Sequence, residues 1–254
     1  MSGDPLLDRV DLFGPVTLAL LQAIPEVERR VGRPVTLVGG LAVLSRLGTA
    51  AHRVTTDVDT VSRRADGERG QLEVLLASGA TAIDGAGAMI TTASGEVRID
   101  VLEISERELA DLSEDPTDRL YALAHDWALR TATPLQIRAS AGGTAFEHAV
   151  RVAEPGPLIA TKLQALPNRS KIKEATDILD IIRLALDPQT GPAVRTQLAI
   201  SDSQLRRDAA LHVQTWFADN ASRTLRLVRT TQAGTDTTSD TVALVGELLL
   251  AGLR

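Results

Sequence analysis

Strand-like segments are confined to the first part of this chain, and helix-like segments make up the rest. Short β-branched and apolar runs bounded by glycine or proline recur as far as Val152. Beyond Pro155-Gly156-Pro157, apolar residues recur at the three- and four-residue spacing of helices. Because helices also separate several of the strands, the sequence predicts an α/β (α+β) fold, with a mixed sheet and flanking helices followed by a C-terminal helical domain.

The predicted domains are 1–154, an α/β domain, and 155–254, a helical domain that contributes to the active-site cleft. In the first, helices are predicted over 16–31, with a kink or break near Pro25, over 41–47 and over 69–78. Strands are predicted over 35–38, 56–62, 80–83, 88–93, 97–102, 135–138 and 146–152. In the second, helices are predicted over 158–166, 174–186, 192–200, 204–217 and 241–253, and the Thr-rich stretch 230–241 is predicted to be an exposed linker.

Composition excludes several classes of function. No cysteine is present, which excludes disulfides and thiolate metal sites and favours a cytoplasmic location. The N-terminus lacks a signal-peptide pattern, and the apolar run 242–253 is too short to span a bilayer, so no membrane association is expected. A net charge of −6 argues against nonspecific nucleic-acid binding over the whole surface.

Two aspartates one residue apart lie in the β-type segment Thr56-Asp57-Val58-Asp59-Thr60-Val61. Alternate side chains of a strand point to the same face, so the carboxylates of Asp57 and Asp59 are expected to lie close together. Aspartate is depleted in strands, and a divalent cation relieves the repulsion between such neighbours. The pair is therefore predicted to bind Mg²⁺. The alternative is a strand end whose exposed face is acidic.

Asp100 is a third candidate ligand, in the apolar segment Ile99-Asp100-Val101-Leu102. Taken alone, it fits a surface aspartate on an edge strand. Three carboxylates on adjacent strands, however, are what two divalent ions need when a triphosphate and an acceptor hydroxyl supply the other oxygens. We therefore expect Asp57, Asp59 and Asp100 to form one metal site that holds two Mg²⁺ ions when an NTP is bound.

A glycine pair, Gly39-Gly40, follows the predicted strand 35–38. Glycines after a strand allow backbone N–H groups to approach a phosphate closely. Gly39 and Gly40 are accordingly predicted to bind the phosphates of a nucleotide.

In combination, these residues resemble the active-site pattern of the DNA polymerase beta type nucleotidyltransferase superfamily. More narrowly, they are similar to its AbiEii/AbiGii toxin branch, which includes the MenT toxins. The resemblance covers about 35–186 and is carried by Gly39-Gly40, Arg53-Val54-Thr55-Thr56-Asp57-Val58-Asp59, Ile99-Asp100-Val101-Leu102, Lys162 in Ala160-Thr161-Lys162-Leu163-Gln164-Ala165-Leu166, and Asp177 in Ala175-Thr176-Asp177-Ile178-Leu179-Asp180. Two features depart from the wider superfamily: sixteen residues separate Gly40 from Asp57, an interval that suits the toxin branch, and Gly40 replaces a serine found in many members.

The resemblance implies a magnesium-dependent nucleotidyltransferase that moves a nucleoside monophosphate from an NTP to an acceptor hydroxyl and releases pyrophosphate. Asp57 and Asp59 would hold both ions, and Asp100 would hold the catalytic one and help to activate the acceptor oxygen. Lys162 would neutralise the triphosphate, with Asp177 supporting it. The resemblance also points to the 3′ end of tRNA as the acceptor and to a cognate antitoxin as a partner.

The helical residues also have simpler interpretations. Lys162 fits an ordinary surface lysine, and Asp177 fits a surface carboxylate paired with Lys173 at i, i+4. Arg169, Lys171 and Lys173 are candidate acceptor-binding residues, whereas their charge pattern alone favours a solvated helix face.

Two other functions stay open. One is a small-molecule nucleotidyltransferase of the antibiotic-modifying kind, which the net acidic charge suits, and the other is a non-catalytic partner-binding module. Thr55 and Thr56 are candidate modification points, since a phosphate beside the metal pair would repel the carboxylates and an incoming triphosphate.

Overall fold

The computed structural model describes residues 8–47 and 55–254, so Arg53 and Val54 of the quoted motif lie outside the described residues. Its strands are β1 (Arg9–Phe13), β2 (Thr36–Val38), β3 (Asp57–Arg64), β4 (Thr81–Ala82), β5 (Gly87–Thr92), β6 (Gly95–Ser105), β7 (Thr133–Ala141) and β8 (Thr144–Val152). Its α-helices are α1 (Pro15–Val31), α2 (Gly39–Leu47), α3 (Gln71–Ala77), α4 (Glu106–Ala110), α5 (Pro116–Thr131), α6 (Pro155–Ala165), α7 (Lys171–Leu186), α8 (Thr190–Ala199), α9 (Ser203–Val213), α10 (Ala221–Val228) and α11 (Ser239–Gly252).

The strands form one mixed sheet in the order β1-β7-β8-β2-β3-β6-β5-β4, which confirms the predicted fold class. Strand β2 is parallel to β8 and antiparallel to β3, where Val38 lies opposite Asp59. Strand β5 is antiparallel to β6, where Gly87 lies opposite Asp100. Since β3 and β6 are neighbours, the sheet brings the two aspartate-bearing segments side by side.

Helix α1 supplies much of the apolar core against this sheet. Its buried residues include Leu20, Leu21 and Ile24, and it contacts β7 and β8. The helix begins at Pro15, where a missing N–H costs nothing, and ends before Gly32, whose φ of 72° gives a left-handed cap. It continues through Pro25, where the sequence predicts a kink or break.

Two compact units divide the described residues: 8–47, 55–103 and 129–153 form the α/β unit, and 104–128 and 154–254 form the helical unit. The predicted boundary after residue 154 assigned 104–128 to the first domain, and this assignment differs from the structure. Within the helical unit, Arg119 of α5 forms a bidentate ion pair with Asp208 of α9, at 2.7 and 2.8 Å. Asp208 is 1 % exposed and Arg119 is half-buried, and their ion pair joins the stretch 104–128 to the C-terminal helices.

Several elements are not predicted from the sequence, namely β1, α4, α5 and α10. The predicted linker 230–241 is also wrong in part, because it contains a 3-10 turn, Gln232–Gly234, and the first residues of α11. Thr237 within it is buried, and its carbonyl accepts a hydrogen bond from Arg229 Nε at 2.8 Å. Over 8–47 and 55–254, none of the helices is long and apolar enough to cross a membrane.

Candidate metal centre

Asp57, Asp59 and Asp100 converge on one face of the sheet, and we call these three residues the acidic centre. Asp57 and Asp59 are alternate residues of β3, and Asp100 lies on the neighbouring strand β6. One carboxylate oxygen from each lies within 4.8 Å of the others. Asp57 and Asp59 are half-buried and Asp100 is 8 % exposed. Oxygen ligands at this spacing, and of this charge, can hold a metal ion.

Backbone and hydroxyl groups of the α/β unit hold these side chains and strands in place. Thr55 Oγ1 donates to Asp57 Oδ1 at 3.2 Å, and the N–H of Gly40 donates to Asp59 Oδ2 at 3.3 Å. Behind the carboxylates, the buried Thr60 Oγ1 donates to the backbone carbonyl of Asp100 at 3.3 Å, which links β3 to β6. The positions of the acidic groups therefore depend on strand register as well as on their own torsions.

Gly39 lies at the start of α2, directly against Asp59. Its φ of 64° is left-handed, and a Cβ at this position would lie 1.9 Å from Asp59 Oδ2. Only glycine satisfies both constraints. The structure thus gives the glycine pair a definite task, which is to accommodate and hydrogen-bond the Asp59 carboxylate; the predicted contact with a phosphate stays a prediction.

Two charged residues beside the acidic centre are not predicted from the sequence. Arg98 Nε donates to Asp100 Oδ1 at 2.7 Å, and Arg98 Nη2 donates to Asp84 Oδ2 at 2.7 Å. Hydrogen bonds to Asp100 and Asp84 raise the pKa of the Arg98 guanidinium. Hydrogen bonds lower the pKa of the Asp84 carboxyl: the largest effect comes from the N–H of Ala86 and the next from the Arg98 guanidinium. Arg98 precedes Asp100 by two positions, so strand alternation was the available signal for this contact.

Lys162 lies in the helical unit and is not the surface lysine of the simpler interpretation. It is 5 % exposed, and its Nζ lies 2.6 Å from both Asp177 Oδ1 and Asp180 Oδ2. Asp180 is fully buried, and its role is not predicted, although it lies one helical turn after Asp177 on the same face of α7. A buried ammonium held between two carboxylates is electrostatically satisfied by its own unit.

The candidate acceptor-binding residues have different environments. Arg169 Nε donates to Asp177 Oδ2 at 3.2 Å, so this residue belongs to the Lys162 cluster. Lys171 and Lys173 are exposed in the first turn of α7. Arg169 therefore has a structural partner that the sequence interpretation did not assign, and the acceptor-binding role of all three residues stays a prediction.

Comparison with known proteins identifies no relative: no family model, no curated protein and no solved structure matches this chain. The functional argument consequently starts from the geometry of the acidic centre.

Proposed function

We propose that this protein is a magnesium-dependent nucleotidyltransferase of the AbiEii/AbiGii toxin type. It would transfer a nucleoside monophosphate from an NTP to an acceptor hydroxyl. The observation that carries the proposal is the convergence of three carboxylates from two neighbouring strands to within 4.8 Å. The sequence resemblance assigns ion binding to the same three residues.

The donor set fits magnesium. All three side chains offer carboxylate oxygen, the ligand that hard divalent cations prefer, and nitrogen or sulfur ligands are lacking in this group. When bound, Mg²⁺ supplies charge neutralisation and alignment of the phosphate oxygens. Asp57 and Asp59 would hold the cations, with Thr55 and Gly40 fixing their orientation through the hydrogen bonds described above.

In the proposed reaction, the acceptor oxygen forms a bond to the α-phosphorus while the bond from that phosphorus to the pyrophosphate oxygen breaks. Pyrophosphate leaves with the electron pair of the broken bond, and the proton of the acceptor hydroxyl passes to a carboxylate or to water. Asp100 is the residue best suited to orient that hydroxyl through Oδ2, since its Oδ1 already accepts from Arg98.

The finer assignments rest on the resemblance alone. They are the 3′ end of tRNA as acceptor, a cognate antitoxin as partner, and neutralisation of the triphosphate by Lys162 with the support of Asp177. The proposed cytoplasmic location rests instead on the absence of cysteine. The ion pairs with Asp177 and Asp180 give Lys162 a structural role that needs no nucleotide. A catalytic role for Lys162 therefore requires its own test.

The decisive experiment incubates the protein with α-labelled NTPs, total tRNA and magnesium. We expect label on RNA, and we expect Asp57→Asn to reduce transfer by at least about a hundredfold because a ligand of the acidic centre is lost. Asp66→Asn is the matched control, since Asp66 is exposed in the turn after β3. It should leave transfer unchanged while removing the same charge.

The outcomes separate the remaining functions. Label on a cationic small molecule, with none on RNA, would replace the toxin assignment by the antibiotic-modifying kind. Absence of label on every acceptor, together with equal heats of magnesium and NTP binding in wild type and Asp57→Asn, would contradict the enzyme proposal and leave a partner-binding module.

A further inference from the structure

Arg98 connects the acidic centre to a fourth carboxylate. Its Nε donates to Asp100 Oδ1 and its Nη2 to Asp84 Oδ2, both at 2.7 Å. Asp84 is held in turn by the N–H of Ala86, which donates to Asp84 Oδ1 at 3.0 Å. The guanidinium is thus fixed at two points, one of them on a member of the acidic centre.

The β5–β6 ladder provides the space for this arrangement. Gly87 lies opposite Asp100, and a Cβ at Gly87 would come within 3.0 Å of Arg98 Nη2, Asp100 Oδ1 and Asp84 Oδ1. A larger residue at this position would require the ends of these side chains to shift by a few tenths of an ångström. The side chains of Arg98 and Asp100 are 32 % and 12 % exposed, so solvent screens their interaction only in part.

Arg98 affects cation binding in two opposite ways. By fixing Asp100 it favours binding, but an aspartate has only two side-chain torsions, so little entropy is saved. By its positive charge it disfavours binding, and this repulsion is doubled for a divalent ion because Coulomb energy scales with the product of the charges. The repulsion should therefore dominate.

We propose that Arg98, anchored by Asp84, weakens cation binding by the acidic centre alone through its positive charge. Tight binding would then require the additional oxygens of a phosphate ligand, so that cation and nucleotide bind together. This inference rests on the metal-binding part of the proposed function. Under this proposal, replacing Arg98 strengthens cation binding. If Arg98 were merely structural, its loss would disorder Asp100 and weaken cation binding.

The test is isothermal titration of MnCl₂ at fixed ionic strength, with and without α,β-methylene ATP. Arg98→Gln removes the charge and keeps an N–H donor, and we expect it to bind Mn²⁺ roughly tenfold more tightly than wild type without nucleotide. The increase in Mn²⁺ affinity that the nucleotide analogue causes should be smaller in Arg98→Gln than in the wild type. Arg64→Gln is the matched control, since Arg64 lies on β3 and pairs with Glu103 at 3.4 Å; its Mn²⁺ affinity should stay within about twofold of wild type.

The possible results are distinguishable. Equal or weaker Mn²⁺ binding by Arg98→Gln, with measurable binding by wild type, overturns this inference and leaves the metal site standing. Failure of the wild type to bind Mn²⁺, with or without nucleotide, overturns both proposals. Thermal unfolding verifies that each variant is folded. If Arg98→Gln does not fold, Arg98→Ala replaces it, and the same tighter Mn²⁺ binding is expected.

Discussion

Lys162 shows that one buried charge can serve stability irrespective of any role in catalysis. Its ammonium lies between two carboxylates that are themselves buried, Asp177 and Asp180. Removing only the cation would leave like charges close together in a region from which water is largely excluded. An activity loss in a Lys162 variant is therefore informative only when the folded fraction is known.

We expect Lys162→Met to lower the free energy of unfolding by about 3–5 kcal/mol, because it breaks a buried ion pair from one side. Urea unfolding followed by circular dichroism measures this. Lys171→Met is the control, since Lys171 is exposed in the first turn of α7, and its change should stay within about 0.5 kcal/mol. Equal midpoints for the two variants would contradict the structural role.

The first residues of helix α2 fix the position of the Asp59 carboxylate on strand β3. The helix begins at Gly39, whose left-handed backbone places the chain against Asp59 of β3. The sequence identifies the glycine pair and the aspartates separately. It does not show that they touch, because that contact depends on the pairing of β2 with β3, where Val38 lies opposite Asp59.

Gly39→Ala tests this contact. A methyl group there would meet Asp59 Oδ2 at 1.9 Å, so the carboxylate must move, and we expect Mn²⁺ affinity to fall at least about tenfold. Gly32→Ala is a matched control because Gly32 has a similar φ of 72° with open space around it. Both variants pay about 1–2 kcal/mol for the left-handed backbone, but Gly32→Ala should retain Mn²⁺ affinity. Parallel losses in both would show that backbone strain, and not the collision, is responsible.

Strands β3 and β6 were predictable because apolar residues alternate with polar ones, as in Val97-Arg98-Ile99-Asp100-Val101 of β6. Strand β1 was not predictable, because it has only five residues and two of them, Arg9 and Asp11, are charged, so its apolar alternation is weak. The Arg98–Asp84 pair was missed for a different reason. Residues 84 and 98 are brought together by the bend before β5 and by the pairing of β5 with β6, which no local pattern in the sequence specifies.

For the molecule as a whole, the order of elements revealed the fold class but not how the chain divides. Segment 104–128 precedes the last two strands in sequence and nevertheless belongs with the C-terminal helices. One contact that joins this segment to the C-terminal helices is the long-range ion pair of Arg119 with Asp208, between residues that are 89 positions apart. Such a pairing cannot be inferred from composition or periodicity, because many arginines and aspartates compete for the same partners.

Arg119→Met should therefore lower the stability of the helical unit. It leaves the buried Asp208 without its bidentate partner, so we expect a lower free energy of unfolding than in the wild type. Hydrogen exchange followed by mass spectrometry should show faster exchange in α5 and α9, while the central strands β2 and β3 keep their protection. Arg107→Met, at an exposed arginine of α4, should leave the exchange pattern unchanged. Unaltered protection of α5 and α9 in Arg119→Met would refute this account.

The small residue at position 87 has a consequence for recognising such sites elsewhere. Because glycine fits most easily between Asp84, Arg98 and Asp100, the arrangement corresponds to a pattern in the primary structure: Asp-x-x-Gly, a reversal of the chain, then Arg-x-Asp. Pairing that signature with an upstream Asp-x-Asp gives a search pattern that depends on packing, and it could detect distant kin that overall similarity fails to reveal.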